Sequence, residues 1–280
     1  MPLNLIYITN RPEIARIAES NGVQRIMVDL EVLGKEARQN QMNTVKSNHS
    51  VADVAAIAKT LTKSELLVRI NPWHTHSAEE IEEVIASGAG SIMLPMWKTP
   101  EEVDLFLKTV DGRVGTTLLL ETKEAVACLD EVLEHPLLEG LHIGLNDLHL
   151  SYGLTFMFEP LVNGVVEDIC RKCKAKGVRY GIGGIAKLQA GLVPAACIIM
   201  EHYRLGSTAA ILSRSFCDTE KIGDPQLVGQ IFGEELARIR AFEQGLSLKT
   251  AADYESNRET LAACVQKAAE EIRRKRMQKT

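Results

Sequence analysis

The sequence lacks the features that mark several specialised classes of protein. It contains no apolar run approaching the roughly 18 residues needed to span a bilayer. Lys and Arg number 32 against 37 Asp and Glu, which gives a net charge of −5. The chain therefore lacks the basic excess that nucleic-acid-binding surfaces use to contact phosphates. We expect neither a membrane nor a nucleic acid among its partners.

Cysteine is also sparse, with six residues scattered over 280, too few for a disulfide scaffold. Cys170 and Cys173 form one C-x-x-C, but no second pair completes a zinc site, and the surrounding EDICRKCKAKG predicts a helix. The first twenty residues show no basic leader followed by an apolar stretch and a small-residue cleavage site. These observations predict a reduced, cytoplasmic protein.

Short apolar runs alternate with amphipathic segments along the chain, as in α/β proteins whose parallel strands are buried. Eight predicted strands begin at Leu3, Gln24, Glu65, Ser91, Val114, Gly140, Val178 and Tyr203. Helix-start signals precede several intervening segments, with Ser77 and Thr99 as predicted caps. Eight such units predict a (β/α)₈ TIM barrel over residues 1–246. An open doubly wound sheet is the alternative, but ITNRPEIA after the first strand lacks G-x-G-x-x-G.

Residues 247–280 predict one further helix, which ends in the basic stretch EEIRRKRMQKT. Cations are favourable at a helix C-terminus, so this stretch is interpreted as a solvated helix end. A closed barrel is expected to leave such a helix no internal face. We therefore expect it to pack at a subunit interface of a homo-oligomer.

Barrels of this kind carry their chemistry at the C-terminal ends of the strands. Glu121 and Asp147 are one strand–helix unit apart and should end neighbouring strands, which lie about 4.8 Å apart. Two carboxylates so close repel each other unless one is protonated or a cation lies between them. Such an oxygen pair suits Mg²⁺ or Mn²⁺. The alternative is a pair of ordinary helix-start acids.

Two histidines, His74 and His76, follow Arg69 at the end of strand 3. Histidine moves protons near neutral pH, and H-x-H can also bind metal. The alternative is a pair of solvated loop histidines. His142 lies within strand 6 and is predicted to be a buried core residue, whereas the role of His49 stays open.

Glycines end the predicted seventh strand, at the position where barrels often bind anions through backbone N–H groups. They are Gly181, Gly183 and Gly184. Ser207, Ser213 and Arg214 are further candidates for an anion site. Glycines here are equally typical of turns.

Five segments, in order and spacing, resemble the HpcH/HpaI aldolase and citrate lyase family of the phosphoenolpyruvate/pyruvate barrel superfamily. They are VDLEVLGKEAR (28–38), VRINP (68–72), IMLPM (92–96), LLLETKEAV (118–126) and IGLNDLHLSYG (143–153). The resemblance implies that Glu121 and Asp147 are metal ligands and that Arg69 binds substrate. The predicted substrate-binding residues are Arg69, Gly144, Asn146, Gly183 and Gly184.

The sequence departs from the family pattern at three positions. Val32 stands where the aldolase branch carries a His and the citrate lyase branch an Asp. Ala86 replaces the Asp that pairs with that His, and Met96 replaces a Lys found in lyases. Because the usual general base is missing, we assign its role to His74 or His76.

These patterns predict a divalent-metal-dependent carbon–carbon lyase or aldolase that acts on a small carboxylate, a 2-oxo acid such as pyruvate or oxaloacetate. The metal and Arg69 would stabilise the enolate that forms when the bond breaks. A Schiff-base mechanism is disfavoured because Lys98, Lys123 and Lys187 all lie in loops or helix starts. The alternatives are a lyase of acyl-CoA thioesters and a metal-binding pseudoenzyme.

Overall fold

Eight parallel strands close into a barrel in which each strand pairs with its sequence neighbours and the eighth returns to the first. The structure is a computed structural model that describes residues 1–34, 49–189 and 191–278. The strands are β1 Asn4–Ile8, β2 Arg25–Asp29, β3 Glu65–Arg69, β4 Ser91–Leu94, β5 Gly115–Leu120, β6 Gly140–Ile143, β7 Arg179–Ile185 and β8 Ala209–Leu212. The predicted TIM barrel is confirmed.

Helices follow the strands around the outside of the barrel. In the described part of the chain they are α1 Pro12–Ser20, α2 Val51–Ala58, α3 Ser77–Ala86, α4 Pro100–Val110, α5 Lys123–Ala127, α6 Leu129–Val132, α7 Leu145–Ser151, α8 Glu159–Val162, α9 Val165–Ala175, α10 Ala195–Leu205, α11 Pro225–Leu246 and α12 Ala251–Met277. None of these described helices combines the length and the apolarity that a membrane crossing requires.

The predicted cap at Thr99 is confirmed, and the one at Ser77 is wrong. Thr99 accepts a hydrogen bond from the Glu102 N–H, and the Glu102 carboxylate accepts one from the Thr99 N–H. Helix α3 instead has His76 at its N-cap, and the Ser77 hydroxyl accepts from the His74 N–H at 2.8 Å. The serine therefore stabilises the preceding turn and not the first turn of the helix.

The hydrophobic core has two layers. A small cluster fills the barrel interior and a larger one fills the space between the strands and the helices. The interior cluster consists of Ile6, Met27, Leu67, Met93 and Leu119. Because the strands are buried on both faces, polar groups concentrate at the strand ends.

The start of β1 is held by a clamp from α11. The Leu3 N–H donates to Glu243 Oε1 at 2.8 Å across 240 residues of sequence. Arg240 donates to the Leu3 carbonyl at 2.9 Å and to Glu243 at 2.6 Å. The first residues of the barrel are thus fixed by one of its last helices.

The predicted start of strand 8 at Tyr203 is wrong. Helix α10 continues through Leu205 and ends at Gly206, which has a left-handed φ of +79°. Leu205 is buried, and its carbonyl accepts a hydrogen bond from the Tyr180 hydroxyl at 2.6 Å. A short apolar run fits the last turn of a buried helix as well as a strand, so periodicity alone misplaces the boundary.

Helix α12 is also placed differently from expectation. It packs on α8 and α10 of its own barrel, and Asn257 Nδ2 donates to the Cys197 carbonyl at 3.0 Å. Its buried side chains are Leu261, Val265, Ala268 and Ala269. The premise that the barrel leaves this helix no internal face was wrong, because α8 and α10 together receive its apolar stripe. Homo-oligomerisation stays a prediction without that support.

Three histidines of the described chain are buried, His142, His149 and His202, and the pKa values of His142 and His202 are the most strongly shifted. His142 lies on β6 with Nε2 3.2 Å from the Gly183 carbonyl, which confirms its predicted place in the core. His202 lies on α10 with Nδ1 2.9 Å from the Ser207 hydroxyl. Burial lowers the pKa of His142 to about 4 and the pKa of His202 to about 3.

These pKa values predict a loss of stability in mild acid. The unfolded chain protonates both histidines near pH 6.5, whereas the folded chain keeps them neutral. The free energy of unfolding should therefore fall as the pH drops below 6.5, by up to about 1.4 kcal/mol per pH unit for each histidine. Urea titrations between pH 7 and 4.5 measure this slope.

The variant His202→Asn should reduce the dependence of the free energy of unfolding on pH. His76→Asn is the control, because the His76 side chain is exposed in the folded chain as well. A slope that His202→Asn leaves unchanged would contradict the prediction.

Candidate active site

The polar residues at the C-terminal ends of the strands come together as the parallel register requires. Asp29 and Arg69 are the last residues of β2 and β3 and are paired in the ladder. Glu121 follows β5 directly. Asp147 lies in the first turn of α7, beyond the end of β6. Glu121 and Asp147 nevertheless line one cavity.

Arg69 is held by two buried carboxylates. Its Nε and Nη2 each donate to one oxygen of Asp29 at 2.8 Å, and its Nη1 lies 3.4 Å from Glu31 Oε2. Burial lowers the pKa of Arg69, but Asp29 and Glu31 more than offset this, so its pKa lies above the usual range. Among the described residues these contacts leave two of the five N–H donors available to a ligand.

Glu121 is a buried carboxyl group, only 3% exposed. Burial and the neighbouring Asp147 raise its pKa well above the usual range, and Arg69 opposes them. The Met96 N–H donates to Glu121 Oε1 at 3.1 Å. This shift favours the protonated form of Glu121, and a bound cation would favour the ionised form.

Met96 reaches Glu121 through an unusual backbone conformation. Its φ is +54°, in the left-handed region that non-glycine residues rarely adopt. The next residue, Trp97, is buried, and its carbonyl accepts from the Thr122 hydroxyl at 2.8 Å. These contacts tie the loop after β4 to the loop after β5. Strain of this kind concentrates at functional sites.

The cavity beside Glu121 measures about 380 Å³, the size of a small-molecule site. Its lining residues are Met96, Lys98, Glu121, Thr122, Lys123, Glu124, Asp147, Leu150 and Ser151. Lys98 and Lys123 are exposed, so their cationic groups stand at the rim. The arrangement suits a small anionic molecule placed next to a carboxylate pair.

Gly144 makes room for the Glu121 carboxyl group. A Cβ atom at Gly144 would lie 2.7 Å from Glu121 Oε2, closer than real Cβ atoms approach. Gly144 is the N-cap of α7, which carries Asn146, half-buried, in its first turn. The predicted roles of Gly144 and Asn146 in substrate binding stay predictions.

Gly183 and Gly184, two of the three glycines of β7, have packing roles. Gly183 has a φ of +35°, and a Cβ atom there would lie 2.7 Å from Leu145 Cδ1. At Gly184 a Cβ atom would lie 3.3 Å from the Ile211 carbonyl oxygen. Close packing accounts for both glycines, and their role in substrate binding stays a prediction.

His74 and His76 are not among the residues that line the cavity beside Glu121. His74 Nε2 lies 3.2 Å from Glu80 Oε2, and its Nδ1 accepts from the His76 N–H at 3.1 Å. The His76 side chain is 79% exposed. This placement favours the alternative of ordinary loop histidines, and their catalytic role stays a prediction.

The loop after β2 carries Val32 at the position of the missing base. Val32 is 56% exposed, and its N–H and that of Leu33 donate to Asn71 Oδ1 at 2.9 and 3.0 Å. Asn71 in turn donates to Glu80 at 2.8 Å. Sequence reasoning did not identify Asn71 and Glu80 as the residues that fix this loop. The rest of the motif, residues 35–38, lies outside the described residues.

The sequence left the role of His49 open, and the structure places this residue next to Asp29 at the end of β2. Its Nδ1 accepts from the Asp29 N–H at 3.0 Å.

Within the described ranges no group of three or more His, Cys, Asp or Glu residues could hold a metal ion. A divalent cation at Glu121 and Asp147 would therefore need water or substrate as its remaining ligands.

Comparison of the folds finds many barrels of similar shape. An HpcH/HpaI aldolase/citrate lyase family protein from Burkholderia cenocepacia J2315 superposes with a TM-score of 0.63 at 17% identity, over 81% of this chain and 94% of that one. An HpcH/HpaI aldolase from Desulfitobacterium hafniense DCB-2 gives 0.60 at 15% identity, over 81% and 93%. Citrate synthase SbnG gives 0.61 at 15% identity, over 84% and 95%. At these identities the likeness shows the fold alone.

The sequence, and not the likeness of fold, shows which family the chain belongs to. No curated protein matches the chain at a significant level. The HpcH/HpaI aldolase/citrate lyase family model matches residues 5–182, well over half of the chain and most of the barrel. The matched range contains Arg69, Glu121 and Asp147, and the resemblance drawn from the five motifs is confirmed. The chain therefore belongs to the HpcH/HpaI aldolase/citrate lyase family.

Proposed function

We propose that the protein is a divalent-metal-dependent carbon–carbon lyase of the aldolase type, whose substrate is a 2-oxo acid resembling pyruvate or oxaloacetate. Membership of the family supports lyase or aldolase chemistry in general. One observation carries the finer proposal: a buried Glu121, with its pKa raised by burial and by Asp147, lines a cavity with Asp147 at the catalytic end of the barrel.

The donor set fits Mg²⁺ or Mn²⁺. Glu121 and Asp147 offer hard carboxylate oxygens, and Mg²⁺ in proteins is commonly bound by one or two carboxylates together with water and substrate. A cation there would relieve the repulsion that raises the pKa of Glu121. When bound, the ion would supply Lewis-acid stabilisation of negative charge on the substrate.

Arg69 is the proposed source of the protein's own positive charge: it is not among the residues that line the cavity, but its charge lowers the pKa of Glu121. Cleavage of the bond between the α carbon and the next carbon leaves the electron pair on the fragment that keeps the carbonyl, and negative charge collects on its enolate oxygen. The two remaining N–H donors of Arg69 can bind that oxygen or the adjacent carboxylate, while Asp29 and Glu31 keep the guanidinium in place. Lys98 and Lys123 at the rim suit a second, distal carboxylate of the substrate.

A metal-binding protein without turnover is the second candidate function. It is favoured by Val32, which is an exposed aliphatic side chain where the family carries a proton-transfer group. Mn²⁺-dependent exchange of the methyl protons of pyruvate with solvent separates the two candidates. The lyase should accelerate exchange, whereas a protein without turnover binds Mn²⁺ and leaves the rate unchanged. Turnover only with a CoA thioester would instead identify a thioester lyase.

Removal of either anionic ligand should abolish metal binding. Glu121→Gln and Asp147→Asn nearly preserve shape, so the free energy of unfolding should change little, because the lost repulsion offsets the lost contacts. Glu124→Gln is the matched control, an exposed carboxylate that lines the same cavity, and it should bind Mn²⁺ normally. Calorimetric titration with Mn²⁺ measures all three, and unchanged affinity in both test variants would overturn the proposal.

Filling the space beside Glu121 should weaken metal binding without removing a ligand. In Gly144→Ala the new methyl group must displace the Glu121 carboxylate, and we expect Mn²⁺ affinity to fall by roughly 10–100-fold, the usual effect of disturbing a ligand's support. Gly245→Ala serves as control, since a Cβ there meets nothing within 4 Å. Equal Mn²⁺ affinity in the two variants would show that Glu121 is not a ligand.

Replacing the guanidinium should impair catalysis and leave the metal in place. Arg69→Lys keeps one positive charge but loses the planar fork that Asp29 holds. We expect the rate of pyruvate proton exchange to fall by roughly 10²–10³-fold, as for other removed oxyanion donors. The control is Arg113→Lys, which disrupts a bidentate pair with Glu82 on the surface. Equal rates in both variants would exclude Arg69 from the chemistry.

A further inference from the structure

The loops after β7 and β8 enclose a second cavity at the C-terminal end of the barrel, with a volume of about 570 Å³. Its charged lining residues are Lys187, Arg214, Asp218, Glu220 and Lys221. Asp218 is engaged by Lys221 at 2.9 Å. The lining as a whole carries three cations and two anions, a net charge of +1. This local balance is opposite to that of the whole chain, which carries −5.

The loop after β8 that carries Arg214 is firmly anchored. Phe216 is fully buried, with its ring edge-on to that of Phe232 at 5.3 Å between centroids. The Tyr7 hydroxyl donates to the Cys217 carbonyl at 3.2 Å, and Arg11 donates to the backbone of the same loop at 3.0 Å. A binding group on such a loop loses little conformational freedom when a ligand arrives.

Lys187 reaches the same space from the loop after β7. Its charge opposes the effect of burial, which raises the pKa of the Cys217 thiol. The two cations come from different loops and converge on one cavity.

We propose that this cavity binds the phosphoryl group of a phosphate monoester. An Arg fork and a Lys point charge are the pair of side chains that most often neutralise a phosphate dianion. The loops after strands 7 and 8 are also the place where barrels of this fold commonly hold phosphate. The ligand is either the substrate that reacts beside Glu121, in which case the inference rests on the proposed function, or a separate phosphorylated molecule.

Calorimetric titration with inorganic phosphate and with glycerol 3-phosphate tests the binding site. Wild-type protein should bind both saturably, and Lys187→Met and Arg214→Gln should each weaken binding about tenfold or more. Lys98→Met is the matched control, a cation at the other cavity, and should bind like wild type. Glu121→Gln should do the same, which separates this site from the proposed metal site.

Three results would overturn the proposal. They are no saturable binding to wild type, affinities unchanged in both cavity variants, and a loss in Lys98→Met equal to that in Lys187→Met. Pyruvate proton exchange then distinguishes the two sources of the phosphoryl group. Competitive inhibition by glycerol 3-phosphate assigns the group to the substrate. Saturation that leaves the KM for pyruvate unchanged assigns it to a separate ligand, and this binding result stands even if the protein shows no exchange activity.

Discussion

Compensation of buried charge is the constraint that organises this end of the barrel. Strands buried on both faces can end in charged residues only if those charges are paired, because an isolated ion in an apolar setting costs several kcal/mol or more. Arg69 satisfies this condition through the bidentate contact with Asp29, the residue opposite it in the ladder. Glu121 satisfies it only in part, since Asp147 repels it more than Arg69 attracts it. The proposed cation would correct that imbalance.

The loops around Glu121 fit together as one unit. The Met96 N–H, in a left-handed backbone conformation after β4, donates to Glu121. Gly144, at the start of α7, has no side chain and so leaves room for the Glu121 carboxyl group. Neither contribution uses a side chain with catalytic chemistry. Both nevertheless decide where the carboxylate lies, and a functional group must be held to within about half an ångström of its productive position. The geometry of the candidate site is therefore set by backbone as much as by functional groups.

The sequence predicts the barrel well because each strand and helix has a local signal of burial or capping. It also places Arg69 and Glu121 at strand ends, since the apolar runs stop at those residues. The sequence does not predict which of several possible partners a side chain or helix contacts, because those partners come together only in the folded chain. His74 contacts Glu80, whereas the alternative drawn from the sequence was a solvated histidine. The Ser77 hydroxyl accepts a hydrogen bond from the His74 N–H, whereas the sequence predicted that it would cap α3. Helix α12 likewise packs on α8 and α10, and no local sequence pattern predicts this contact.

The clamp on Leu3 has a consequence for how a newly made chain reaches its native state. Strand β1 cannot pair with β8 until residue 212 has been synthesised, and Leu3 cannot meet Glu243 until α11 follows. Contacts so distant in sequence form late, because closing a long loop costs entropy before any contact forms. Until then the outer edge of β1 carries unpaired backbone groups that invite pairing with other chains. Ribosomes that pause before β8 would thus hold an open barrel, the species most exposed to aggregation and most in need of a chaperone.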